Sequence, residues 1–214
     1  MTDPSPPRLD IISIGPIDPS SIEALHQHRS VSITEIEPRE TPFSWADLAD
    51  AINREIDEAP GWVLLLRQGE VVSSSLAAEI ARLAIGEPVA WAFRIPVSLR
   101  YAGGPLYQRR SRSGGEIRLF HGRRCRFLPK GDRRELQSRG TVIRITQPIE
   151  REIYASADAH RDAVKGEGVP HSLPRRFLIF VAGIWSDRGQ LTRRTFRYRW
   201  IEAGWDRAGV SDGS

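Results

Sequence analysis

Arg67-Gln68-Gly69-Glu70 is a charged loop set directly behind the apolar run Trp62-Val-Leu-Leu-Leu and ahead of a helical stretch, residues 73–84. In open α/β sheets the carboxyl ends of strands carry the chemistry. The loop offers one carboxylate, Glu70, and the side-chain carbonyl of Gln68. Magnesium and manganese require more oxygen ligands than that, so no metal and no resident cofactor are expected. Arg67 opens a different chemistry, because a planar guanidinium grips phosphate oxygens through paired donors and can replace a cation. A solvated surface arginine is the plainer alternative.

Other residues with chemical potential are weaker. Glu135 is a carboxylate flanked by Arg133 and Arg134, an arrangement that favours a surface ion pair and lowers a pKa rather than making a base. His26 and His28 stand two apart on a helix and so occupy different faces, while His160 and His171 lack ligands at metal spacing and read as exposed or capping. The lone Cys125 lies between Arg124 and Arg126, where cations can lower a thiol pKa, yet a packing role is the commoner one.

Charge is divided unevenly along the 214 residues. Residues 1–90 hold six arginines, no lysine and 15 acids, net −9, leaving 25 basic and 12 acidic residues beyond, net +13. Arg109, Arg110 and Arg112 form one basic group, and Arg175, Arg176, Arg193 and Arg194 form another among Phe177, Phe196, Tyr198 and Trp200. Cations interleaved with aromatics suit an anionic membrane surface, and also single-stranded nucleic acid. No RNA-binding signature is present, which favours the membrane; an ordinary solvated basic face remains the alternative.

Elements that must position these groups follow from periodicity. Residues 10–14 and 31–36 read as strands, residues 18–25 as a capped helix, residues 44–60 as a helix with Leu48, Ala49, Ile52 and Ile56 on one face, and residues 62–66 as a third strand. Alternating strand and helix predicts a parallel, doubly wound sheet. Beyond residue 88, short strands at residues 88–96, 115–120, 124–128 and 141–146 give a β-rich portion, followed by helices over residues 149–164, 174–185 and 191–205. Gly103-Gly104 reads as a turn.

The run from Trp62 to Ile80 resembles family 2 glycosyltransferases, in which W-I-L-F-L ends in D-A-D-E and continues R-V-S-P-E-L-A-A-E-I. Ala92-Phe-Arg-Ile-Pro96, Tyr101-Ala-Gly-Gly104, Ile117-Arg-Leu-Phe120 through Phe127, and loosely residues 180–189 are similar to further family motifs in the same order. The resemblance covers roughly residues 10–200. It implies a GT-A-like α/β fold, a parallel or mixed sheet flanked by helices with further helices at the C-terminal end, and transfer of a sugar from a nucleotide sugar to a cell-envelope glycan or lipid acceptor. It places Glu135 at the usual base position and Asp18, Arg67, Gln68, Glu70 and Arg118 on the donor and phosphate side. The two metal-binding aspartates read Arg67 and Gly69, and nothing like the family's S-V-I-I-P-A-Y-N-E precedes Asp10. A degenerate member is therefore expected, weakly active or non-catalytic, and a protein partner could complete an exposed sheet edge.

Length and 40% hydrophobic content fit one core. The expected organisation is a disordered start at residues 1–9, a single domain over residues 10–205, and a flexible tail at residues 206–214. Within the domain, residues 10–87 form the Rossmann-like half, 88–148 the β-rich acceptor side and 149–205 the helical end. No run reaches the roughly 18 apolar residues of a spanning helix, and the N-terminus does not read as a signal peptide. A cytoplasmic protein peripheral to the inner face of the membrane is expected.

Overall fold

Strands that read as unbroken apolar runs belong inside a sheet covered on both faces, because successive side chains point to opposite sides. The computed structural model describes residues 8–37, 45–58, 61–85, 88–106, 115–130, 133–166, 197, 198 and 201. In chain order the first elements are β1 (Leu9–Ile14), a 3-10 turn (Pro19–Ile22) with α1 (Glu23–His26), β2 (Val31–Ile36), α2 (Trp45–Glu58), β3 (Trp62–Arg67), β4 (Glu70–Val71) and α3 (Ser74–Leu83). There follow β5 (Ala92–Ile95), β6 (Val97–Tyr101), β7 (Gly104–Pro105), β8 (Glu116–His121), β9 (Cys125–Lys130), β10 (Arg133–Ser138), β11 (Val142–Arg144), β12 (Ile149–Tyr154) and α4 (Ala157–Gly166).

The chain divides into two compact units: residues 1–97 with 114–150, and residues 98–113 with 151–214. The first is built on a six-stranded sheet of order β11-β5-β8-β3-β1-β2. β1 pairs in parallel with both β2 and β3, as the alternating pattern predicts. The sheet is mixed rather than wholly parallel, because β8 enters antiparallel between β3 and β5. β1 has a neighbour on each side, so the open edge of the sheet nearest it is β2.

Alternation sorts the strand residues between two cores. Leu9, Ile11, Trp62, Leu64, Leu66, Phe93, Ile95 and Leu119 pack on one face with Ile22, Leu25, Leu76, Ala77 and Ile80 of the 3-10 turn, α1 and α3. Ile12, Val63, Leu65, Ala92 and Phe120 face the other way, onto Leu48, Ile52 and Ile56 of α2 and onto Cys125 and Leu136 of the β9–β10 hairpin. Caps agree with the sequence: Asp18 accepts from the Ser20 amide, and Ser73 Oγ accepts from the Leu76 amide. Cys125 is a packing residue; burial raises its thiol pKa, outweighing the neighbouring Arg126.

Two expectations are corrected in the second unit. Residues 149–164 form no single helix: Ile149–Tyr154 is a strand, and the helix starts only at Ala157. The apolar spacing of Ile149 and Ile153 fits either period, but Ser156 accepts from the Ala159 amide and so marks the true helix start. His160 is buried rather than exposed or capping, stacked on Tyr154 and Tyr198 with its Nδ1 3.4 Å from the Tyr101 hydroxyl. β6 lies between β12 and β7, and Gly103 makes the expected turn at φ +71°. The predicted helices at residues 174–185 and most of 191–205 lie outside the described residues, as do His171 and both chain ends.

Candidate functional site

Strand order reverses about β1: the chain moves outward from β1 to β2, then returns through α2 to β3 on the other side. A crevice opens at such a switch point, outside the carboxyl ends of the strands. Here it is a cavity of about 470 Å³, within the roughly 300–1,000 Å³ of small-molecule sites. Ile14 and Arg67, the last residues of β1 and β3, stand at its lining, with Arg94 from β5 and Glu116 from β8. Glu135 of β10 completes the charged lining, and Ile52, Leu65, Ile117, Phe127 and Leu136 supply apolar wall.

Local structure fixes each of these groups. Gly69, at φ +74°, lets the chain reverse after β3, and the Glu70 carboxylate closes the turn by accepting from the Arg67 amide at 2.8 Å. Both oxygens of Glu70 also accept from Arg118, whose Nη2 is 3.0 Å from Oε1 and whose Nη1 is 3.2 Å from the Oε2 that takes the Arg67 amide. Both side chains are 1% exposed. Arg118 also reaches Glu116 at 3.2 Å, and Glu116 in turn takes Arg67 Nη2 at 2.9 Å. A buried pair thus anchors the chain of charges that holds Arg67 at the cavity. Burial lowers the Arg118 pKa, and the Glu70 carboxylate opposes the shift.

On the facing wall, the β5–β8 register shifts between Phe93 and Arg94, setting Arg94 opposite Ile117. The residue this irregularity leaves over is Arg118 of β8; β5 itself alternates without a break, Phe93 and Ile95 in one core and Ala92 in the other, so Arg94 falls on the cavity face. Arg94 Nη1 donates to the Gly115 carbonyl at 3.2 Å; among the described residues it has no carboxylate within ion-pair distance. The hairpin wall is fixed by Asn53 of α2, whose amide accepts from the Phe127 N–H at 2.9 Å and donates to its carbonyl at 3.0 Å.

The structure treats the sequence-derived candidates unequally. Arg67 and Glu135 line the same cavity. Glu70 and Arg118 are spent on each other and do not line it, so neither is placed to touch a ligand there. The Gln68 backbone N–H donates to the Ile14 carbonyl, and its side chain lies against Gly15. Asp18 caps the 3-10 turn, its pKa lowered by hydrogen bonds from Ser20, and stays off the cavity lining. Glu135 pairs with Lys130, which lowers its pKa and makes it a poor base. Arg109, Arg110, Arg112, Arg175, Arg176, Arg193 and Arg194 lie outside the described residues.

Arg94 and Glu116 were not legible as site residues. The one signal in the sequence is a charge inside each apolar strand, in Ala92-Phe-Arg-Ile and Glu116-Ile-Arg-Leu-Phe. Among the described residues no cluster of three or more histidine, cysteine or acidic side chains could hold a metal, and no helix is long and apolar enough to cross a membrane. No family model matches the chain and no curated protein matches it, which leaves the geometry to bear on function.

Proposed function

We propose that this chain is a family 2 glycosyltransferase-like domain, GT-A-like in its sheet, that holds a phosphate-bearing ligand such as a nucleotide sugar without a divalent metal. Arg67 carries the reading. It ends β3 where the resemblance puts a metal-binding aspartate, and it lines the switch-point cavity. A guanidinium there offsets phosphate charge, both in the bound ligand and in a diphosphate leaving group. Weak or absent transfer fits the poor basicity of Glu135.

Thermal-shift titration with nucleotide sugars, with and without manganese, tests this. A ligand at a hundred times its Kd stabilises a fold by about 2.7 kcal/mol, which a melting curve resolves readily. The shift is expected to be the same with and without manganese and to disappear in Arg67→Ala. A shift that requires manganese, or none with any nucleotide sugar, overturns the proposal.

A further inference from the structure

Most of the cavity wall is hydrocarbon. Ile52, Leu65 and Leu136 are buried residues of α2, β3 and β10, and Ile14, Ile117 and Phe127 lie half-buried around them. None of these side chains can hydrogen-bond a nucleobase edge or a sugar hydroxyl, and burying such groups without partners is costly. The charged groups are placed differently. Glu116 is shared between Arg67 and Arg118, and Glu135 is paired with Lys130. Arg94, half-buried on the same lining, has no carboxylate within ion-pair distance among the described residues. Glu135, on the same lining, feels the Arg94 charge but is hydrogen-bonded to Lys130, so an anion brought to the Arg94 guanidinium can still gain a charge-assisted bond there.

We infer that the cavity takes an apolar organic anion, with its hydrocarbon body against Ile52, Leu65, Ile117, Phe127 and Leu136 and its phosphate or carboxylate head on Arg94. This rests on the reading above only in taking the switch-point cavity as the ligand site. It departs from that reading in the body of the ligand and in the arginine that holds its head. Phosphate and carboxylate share the required chemistry, and a matched pair of probes tells them apart.

The experiment titrates the full chain by calorimetry with butyl, hexyl and octyl phosphate, octanoate, inorganic phosphate and a nucleotide sugar, each below any micelle concentration. Affinity is expected to rise along the alkyl phosphates, by about fourfold per methylene while the chain is still being buried, with inorganic phosphate far weaker. Octanoate binding as well as octyl phosphate assigns a head read as a single negative charge; a preference for phosphate assigns bidentate recognition. Arg94→Gln should weaken octyl phosphate at least tenfold. Ile117→Trp, which fills the cavity, should weaken octyl phosphate more than butyl phosphate. Affinity independent of chain length, or unchanged in Arg94→Gln, overturns the inference even if either variant misfolds, because the chain-length series uses the unaltered protein. Binding of nucleotide sugar alone overturns it while leaving the proposed function standing; binding of the alkyl anions alone does the reverse.

Discussion

Removing Arg118 leaves the Glu70 carboxylate 1% exposed with only the Arg67 amide as a donor, whereas Arg118 would keep Glu116 at 3.2 Å if Glu70 were lost. A buried charge stranded in this way typically costs about 3–5 kcal/mol, whereas replacing both partners by apolar groups is often nearly neutral. Arg118→Met should therefore lower stability by that amount in urea titration, and adding Glu70→Leu should recover a large part of it. The recovery should be incomplete, because the Arg67 amide loses its acceptor as well. If the double variant is as unstable as the single, the pair is not what holds this wall of the cavity.

His160 gives a second residue-scale test. Burial takes its pKa down from 6.5 to about 4. The unfolded chain binds a proton as pH falls through 6.5, and the folded chain only near 4. Stability is therefore complete above 6.5 and lost across that window, by about 3 kcal/mol over the whole span. His160→Phe should flatten the difference between urea midpoints measured at neutral pH and near pH 4.5; an unchanged slope would remove the buried neutral imidazole from the picture. Neither this histidine nor Arg94 announced itself in the sequence. Burial at residue 160 depends on Tyr101 and Tyr198, dozens of residues away, and the place of Arg94 on the cavity depends on which face of β5 the distant α2 and the β9–β10 hairpin cover.

At the scale of elements, β8 must begin at a fixed place for Glu116 and Arg118 to reach Arg67 and Glu70. Gly115 sets that start at φ +75°, and a Cβ there would lie 2.6 Å from the Ile95 carbonyl oxygen. Gly115→Ala should cost about 1–3 kcal/mol in denaturant unfolding and weaken ligand binding as well, since Arg94 is tied to the Gly115 carbonyl. A variant as stable as the parent would mean that the strand can begin elsewhere. Several elements of the first unit are legible because their signals are local: the cap at Asp18, helical spacing in α2 and over residues 73–84, apolar runs in β1 and β3. The sequence pattern does not mark strands β4, β6, β7 and β10, and it points to helix for β12. Their strand state comes from pairing with distant chain, such as Glu135 opposite Leu128, and leaves little trace in their own residues.

Over the whole molecule, the charge division offers a test that keeps the cavity and the basic portion apart. The formal net charge of +4 conceals a first portion at −9 and a remainder at +13. Near an anionic lipid surface each added cation contributes about 1 kcal/mol, and the attraction fades as salt shortens the Debye length. The protein should cosediment with vesicles rich in acidic lipid at low salt and be released as salt rises through the physiological range. Replacing Arg175, Arg176, Arg193 and Arg194 by Gln removes four charges and should weaken that binding by at least tenfold. Arg67→Ala and Arg94→Gln remove one charge each and should weaken it far less, while the first removes the nucleotide-sugar shift and the second weakens octyl phosphate at least tenfold. Vesicle binding that ignores salt, or that falls as far with Arg94→Gln as with the fourfold change, would merge the two activities into one site and leave the basic clusters as ordinary solvated surface.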